Sequence, residues 1–497
     1  MKVSIGKLMK ESGVGFGTSG ARGLVVQMTD FVCYAYTKAF LLHCEKEHPS
    51  EKILAIAGDL RPSTGRILSA VACAAKGIGW NVIHCGRIPS PAIALYGIEK
   101  SLPTVMVTGS HIPEDRNGIK FNHPQGEITK KDEQGIVQQE IEVDETLFDK
   151  QGMLLIPEEL SEVDCSAEES YVARYISFFG TTALHGLKLG VYEHSAVGRD
   201  ILKRVLSALG AEVVSLGRSE IFVPVDTEAI RKEDSELAKE WAKNNYFALV
   251  STDGDSDRPL LSDETGEWLR GDVLGILAAN ALGISSVATP VSCNTALEKS
   301  LLFKQVCRTR IGSPYVIEGM ESLDDGKTHV AGYEANGGFL LQTTVEKNGK
   351  ILNALPTRDA LLPIISVLVY AKEQNTTISS LLSQLPKRFS ASDRLKNFPT
   401  ELSKKKILEI RERNLGEVLF GKFSGKLLEV NETDGYRMFF DSDEIIHLRP
   451  SGNAPELRCY VETASRERSS KLLSDCLQLL ESFRGKKKKK DSFSIKY

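Results

Sequence analysis

The chain has 497 residues, with 41% hydrophobic and 26% charged residues and a formal net charge of −4. This length exceeds one ordinary hydrophobic core and predicts about two to four domains. The small net charge argues against a nucleic-acid-seeking surface, and no stretch of about 18 apolar residues predicts a membrane span. The opening segment "MKVSIGKLMKESGVGFG" lacks the apolar centre of a secretory leader, so the expected compartment is the cytoplasm. Nine cysteines are scattered without a C-x-x-C pair, which speaks against a disulfide framework or a zinc ribbon. The basic run Lys486 to Lys490 reads as a solvated tail and is assigned no role.

In chain order, "TDFVCYAYTKAFLLHC" (29–44) opens with Thr29 and Asp30 as cap candidates and places Val32, Tyr36, Ala39 and Phe40 on one helical face. "KILAIAGD" (52–59) reads as a buried strand, "STGRILSAVACAAKGIG" (63–79) as a helix with a glycine stop, and "NVIHCG" and "TVMVTG" as further strands. Strands separated by helices of this length predict parallel pairing, which puts Ser110 just beyond the carboxyl end of a strand, where α/β sheets bind ligands. The same grammar returns over 187–217 and 246–263, and again beyond Gly271, although the segments are too dissimilar to be called a repeat. "LPKRFSASDRLKNFPT" (385–400) carries charge and breakers and reads as containing the last linker. Beyond it, short strands flanked by helices predict a smaller α+β domain. The expected boundaries are 1–155, 156–270, 271–385 and 386–497.

Several stretches carry chemistry. In "STDGDSDRP", Asp253, Asp255 and Asp257 alternate in a loop after a strand, with Gly254 permitting a tight backbone. Carboxylates at that spacing can converge on one hard cation, and an all-oxygen set suits Mg2+. Three carboxylates leave such a site net negative, so it would accept a further oxygen, such as one from phosphate. In "RPSGNAPELR", Arg449 and Arg458 bracket Ser451, Gly452 and Asn453, a donor-rich set that suits phosphate but also suits a plain polar turn. "GFGTSGARG" (15–23) contains Arg22 in a glycine-rich loop, and "GYEANGGF" (332–339) offers Glu334 and Asn336 to sugar hydroxyls. Near Ser110, Asn117 and Gly118 suit a tight turn, and Lys120 would serve as a general base if desolvation lowered its pKa. His111 is open to either a catalytic or a merely local hydrogen-bonding role. No P-loop is present, which disfavours nucleotide triphosphate hydrolysis.

"GFGTSGARG", "TGSHIPEDRNGIKF", "DGDSDRP", "GYEANGGF" and "RPSGNAPELR" occur in an order and spacing that resemble the α-D-phosphohexomutase superfamily across essentially the whole chain. The resemblance implies three related mixed α/β domains plus a smaller C-terminal α+β domain around a central cleft. It also implies a phosphorylated Ser110 whose phosphate is bound by Mg2+ together with Asp253, Asp255 and Asp257. Arg22 and Arg258 would hold the reacting region, Lys120 would be the base and His111 its neighbour beside the serine. Glu334 and Asn336 would meet the sugar, while Arg449, Ser451, Gly452, Asn453 and Arg458 would grip the phosphate not being transferred. The implied reaction interconverts hexose 1-phosphate and hexose 6-phosphate through a hexose 1,6-bisphosphate, which also serves as activator. No nucleic-acid or membrane partner is expected, and the resemblance leaves monomer and homodimer both open.

The sequence departs from many members at Gly109, Ile112, Asn336 and Asn453. The change at Asn336 bears on sugar specificity. Mannose phosphates are the first expectation, glucose phosphates or dual specificity the second, and glucosamine phosphate the third. From other classes, a metal-dependent sugar phosphatase and a non-catalytic sugar-phosphate-binding protein remain alternatives.

Overall fold

The computed structural model describes residues 1–17, 20–451 and 455–484. They gather into two compact units, one of Met1–Cys293 with Ser300–Leu385 and the other of Asn294–Lys299 with the chain from Pro386 onward.

The first unit is of mixed α/β type and repeats one arrangement three times. In the first sheet, Asn81–His84, Ile53–Gly58 and Thr104–Val107 run parallel, and Arg116–His123 then pairs antiparallel with the third of them. Glu212–Arg218, Lys188–His194 and Ala248–Thr252 do the same, followed by antiparallel Pro259–Leu261. The third set is Gln305–Thr309, Ser286–Pro290 and Val330–Tyr333, followed by antiparallel Phe339–Leu341. Each set has spatial order second, first, third, fourth. In each, the loop from the third strand into the fourth is one of the stretches singled out for chemistry: 108–115, 253–258 and 334–338. The repeat that sequence identity left unrecognisable is therefore explicit in the topology.

Local sequence accounts for the framing helices. The Thr29 hydroxyl accepts the Val32 N–H to cap Asp30–Glu47, and Val32, Tyr36, Ala39 and Phe40 are all buried as their spacing requires. The Phe40 ring lies 4.7 Å from that of Phe121, tying this helix to one face of Arg116–His123. Asn117 and Gly118 lie inside that strand and do not form the expected turn. The glycine is there for close approach: a Cβ at Gly118 would come within 2.9 Å of the carbonyls of Ala21 and Thr108. Asn117 donates its amide to Ser63 Oγ at 2.8 Å.

The second unit holds a five-stranded antiparallel sheet in the order Phe389–Leu395, Leu457–Thr463, Ile445–Pro450, Tyr436–Phe440, Leu427–Asn431. Helices Thr400–Glu412, Leu415–Ser424 and Arg466–Glu481 accompany it. The segment read as a linker thus contains a strand paired over seven positions. It is an edge strand, and the charges of Asp393 and Arg394 are those an edge exposes, which is why it resembles a connection. Among the described residues no helix is long and apolar enough to cross a membrane.

Candidate active site

Ser110 follows the strand Thr104–Val107 with a left-handed backbone, φ 53°, and is 1% exposed. A non-glycine residue holds that conformation only when its surroundings impose it. Here Arg61, itself fully buried, sits inside the loop. It donates from Nη2 to the carbonyls of Ser110 (2.9 Å) and Ile112 (2.5 Å), from Nη1 to Pro113 (2.7 Å) and Arg116 (3.0 Å), and from Nε to Asp59 (3.1 Å). Asp59 in turn accepts from Thr64 Oγ1, Thr108 Oγ1 and the Gly109 N–H. The Phe222 ring lies 4.0 Å from the guanidinium carbon.

This pair was not singled out from the sequence. Its only local trace is the Gly-Asp that ends "KILAIAGD" and the arginine two residues on. It also accounts for Gly109: a Cβ there would lie 2.5 Å from Arg61 Cζ, so the glycine makes room for the guanidinium. Gly109→Ala is expected to displace Arg61, cost about 1–3 kcal/mol and lower kcat. A urea midpoint and initial rate equal to wild type would refute that.

The acidic loop reaches the serine loop directly. Gly254 packs so closely that a Cβ would come within 2.5 Å of the Ser110 carbonyl oxygen, and Ser110 Oγ donates to Asp253 Oδ2 at 2.6 Å. Asp253, Asp255 and Asp257 are all buried. Burial, with Asp255 and Asp257 beside it, pushes the Asp253 carboxyl well above its ordinary value. Oxygen atoms from the three carboxylates lie within 4.8 Å of one another, and Asp255 Oδ1 and Asp257 Oδ1 are buried with no hydrogen-bond partner. Buried carboxylate oxygens without hydrogen-bond partners are costly unless a cation meets them, so these residues fit a hard divalent ion.

Cations surround the acids. Lys120 Nζ donates to Asp255 Oδ2 (2.6 Å) and Asp257 Oδ2 (2.7 Å), and lies 3.3 Å from Ser90 Oγ, which itself donates to Asp255. Burial alone would lower the lysine's pKa, but the two carboxylates outweigh it and the pKa is raised. The condition set for Lys120 as a base, a pKa lowered by desolvation, is therefore not met by these surroundings. Arg258 donates from Nη1 to His111 Nδ1 at 3.0 Å; an arginine can only donate, so this nitrogen is the acceptor. Burial, and then Arg258, push the His111 pKa down to about 3, leaving the ring neutral, with Nδ1 3.3 Å from Ser110 Oγ. Burial, followed by Arg258 and Arg358, pushes Arg22 down to about 10.

Arg358 was likewise not singled out from the sequence, and it carried no local signal there. Its Nε donates to Asp257 (3.1 Å) and its Nη1 to Glu334 (3.3 Å), which links the third loop to the second. Asn336 is turned into its own loop, with Oδ1 accepting the Gly338 N–H at 2.9 Å and its carbonyl accepting from Thr227. In the second unit, Arg449 pairs with Asp434 at 2.9 Å, Arg458 lies 3.7 Å from Glu456, and buried Ser451 donates its N–H to the Glu456 carbonyl. Gly452 and Asn453 lie outside the described residues.

Comparison with known proteins gives the class. Phosphoglucomutase/phosphomannomutase alpha/beta/alpha domain I matches residues 13–146, and domain III of the same description matches residues 270–389. A phosphomannomutase of Salmonella muenchen is 44% identical over 96% of this chain and 98% of its own. One of Sinorhizobium fredii is 41% identical over 94% and 98%. A phosphoglucomutase/phosphomannomutase family protein of Burkholderia thailandensis shares the fold, with a TM-score of 0.72 at 20% identity over 94% of this chain and 97% of that one. The protein is thus an enzyme of the phosphomutase class, an isomerase. It belongs to the phosphoglucomutase/phosphomannomutase family of the α-D-phosphohexomutase superfamily.

Proposed function

We propose that the enzyme interconverts mannose 1-phosphate and mannose 6-phosphate through a phosphorylated Ser110. The observation that carries this reading is the setting of the buried Ser110 Oγ, which donates to Asp253 and lies 3.3 Å from His111, with Arg258 bound to that histidine and Lys120 bound to Asp255 in the same acidic loop, groups of the kind that stabilise a transferring phosphoryl group. The mannose assignment rests on the two phosphomannomutases at 44% and 41% identity, against 26% for a phosphoglucosamine mutase of Thermodesulfovibrio yellowstonii.

In this reading a hexose hydroxyl forms a bond to phosphorus as the bond to Ser110 Oγ breaks; one proton leaves the hydroxyl and one returns to Oγ. Reversal on the other end of the bisphosphate regenerates the phosphoserine. Asp253, Asp255 and Asp257 would hold Mg2+, which would draw charge from the phosphoryl oxygens. Arg22, Arg258 and Arg358 add fixed positive charge at the same place. Lys120 meets the attacking hydroxyl, and can accept its proton only when Asp255 and Asp257 are satisfied by another positive charge. Glu334, fixed by Arg358, is assigned to sugar hydroxyls, with Asn336 shaping its loop. Arg449, Ser451, Gly452, Asn453 and Arg458 are assigned to the other phosphate.

We further read the chain as four domains, 1–155, 156–270, 271–385 and 386–497, supported by the two domain matches and by one large sheet in each segment. Hexose 1,6-bisphosphate as activator, a monomer or homodimer, and a cytoplasmic place of action complete the reading. With Mg2+ and a trace of hexose 1,6-bisphosphate, mannose 1-phosphate is expected to give the highest kcat/KM among mannose, glucose and glucosamine 1-phosphates. Faster release of free phosphate than of any 6-phosphate would favour a phosphatase instead, and preference for the glucosamine substrate would overturn the sugar assignment.

A further inference from the structure

We propose that His43, His48 and Asp132 form a second metal site, separate from the acidic loop, for a borderline divalent ion such as Zn2+. His43 Nε2 and His48 Nε2 each lie 2.9 Å from the same oxygen, Asp132 Oδ1. One ligand atom from each of the three residues can be chosen so that all lie within 4.8 Å of one another. A third imidazole completes the cluster: the His123 ring stacks on His48 at 4.2 Å and 5° between planes, with Nε2 4.0 Å from Asp132 Oδ2.

These residues come from two helices and a strand. His43 is on the helix Asp30–Glu47, His48 is that helix's C-cap, Asp132 is in the helix Lys130–Val137, and His123 ends the strand Arg116–His123. Tetrahedral bonds of 2.0–2.1 Å place donor atoms about 3.3 Å apart. The ion would enter by opening the contacts to Asp132 by a few tenths of an ångström and displacing the Nε2 protons that now face Oδ1, leaving each ligating ring with a single proton on Nδ1. Imidazole with carboxylate suits zinc and its neighbours, whereas the all-oxygen loop suits magnesium.

The support around the ligands is already in place. Asp132 Oδ2 accepts from the Thr129 N–H (2.8 Å) and hydroxyl (2.6 Å), a capping box that aims Oδ1 at the rings. Gly135 lies against His43 so closely that a Cβ would come within 2.5 Å of ring carbon Cε1. A simple ion pair would need one imidazolium for this carboxylate. Three imidazoles gathered on it, two of them stacked, cannot all be charged at low cost and offer a donor set in excess of pairing. An ion could reach the cluster past His48, whose side chain is 22% exposed. Bound there, it would tie helix Asp30–Glu47 to helix Lys130–Val137, beside the face of Arg116–His123 that carries His123 and lies opposite Lys120, since side chains alternate along a strand.

The test uses the full-length protein carrying Asp255→Asn to disable the acidic loop, stripped with chelator and titrated with Zn2+ alone. One equivalent is expected, and Co2+ in its place should give visible d–d bands of a nitrogen–oxygen site. Adding His48→Gln, at a partly exposed helix end, is expected to take the zinc uptake from one equivalent to none and to abolish the zinc-dependent rise in Tm. No uptake by the Asp255→Asn protein, or unchanged uptake after His48→Gln, would overturn the proposal. The Co2+ spectrum of the parent protein needs no histidine variant, so its absence alone also counts against the site.

Discussion

Ser110→Ala is expected to lower mutase turnover roughly 10⁴- to 10⁶-fold, because it removes the atom proposed to carry the phosphoryl group. The fold should survive. The serine side chain makes one strong contact, to Asp253, while its backbone is held by Arg61 and by the Thr108 hydroxyl, which accepts the Ser110 N–H at 2.8 Å. Two readouts check this together: the rate with mannose 1-phosphate, and transfer of labelled phosphate to protein from hexose 1,6-bisphosphate. A variant that still turns over and still takes up label would end the phosphoserine reading.

Arg61→Ala is expected to damage both stability and rate. The guanidinium is fully enclosed, makes four bonds to loop carbonyls and pairs with buried Asp59. Deleting one partner leaves the other charge buried and alone, at a cost of about 3–5 kcal/mol. The loop carbonyls of Ser110, Ile112, Pro113 and Arg116 would lose their common donor, so Ser110 would leave the left-handed conformation that presents Oγ to Asp253. A lower urea midpoint and a kcat loss of about 10²-fold or more should therefore appear together, since small misplacement of a reacting group costs that much. Arg61→Lys should rescue little, because an ammonium cannot span this fan of acceptors. Ser110→Ala and Arg61→Ala are thus expected to separate chemistry from scaffold. An Arg61→Ala protein with wild-type midpoint and rate would show that the loop stands without its central guanidinium.

Much of the candidate site is legible along the chain because its parts are local. Three aspartates at alternate positions, the cap at Thr29 and the strand–helix rhythm each depend on neighbours within a few residues. Contacts between distant segments leave no such mark. Lys120 meets its carboxylates across 135 and 137 residues, and Arg358 meets Asp257 across 101. Nothing in "NGIKF" says that its lysine will be buried between two acids, and nothing in "PTRD" marks an arginine that bridges two loops. Asn117 and Gly118 have turn chemistry by composition, yet pairing with Gly20–Leu24 holds them in the sheet, and the Gly118 carbonyl also accepts the Thr108 N–H.

By itself the sequence determined the class of chemistry, since residue types at fixed short spacing dictate what a loop can bind. It also determined the alternation of strands and helices, through periodicities that are properties of the backbone. The tertiary structure alone decided which charges face one another. Placing the three chemical loops at one equivalent position of three repeated sheets brings them together, and buries Arg61 beneath the serine. In that low-dielectric setting intrinsic pKa no longer governs: burial comes first for His111 and Asp253, and pairing with two carboxylates prevails for Lys120.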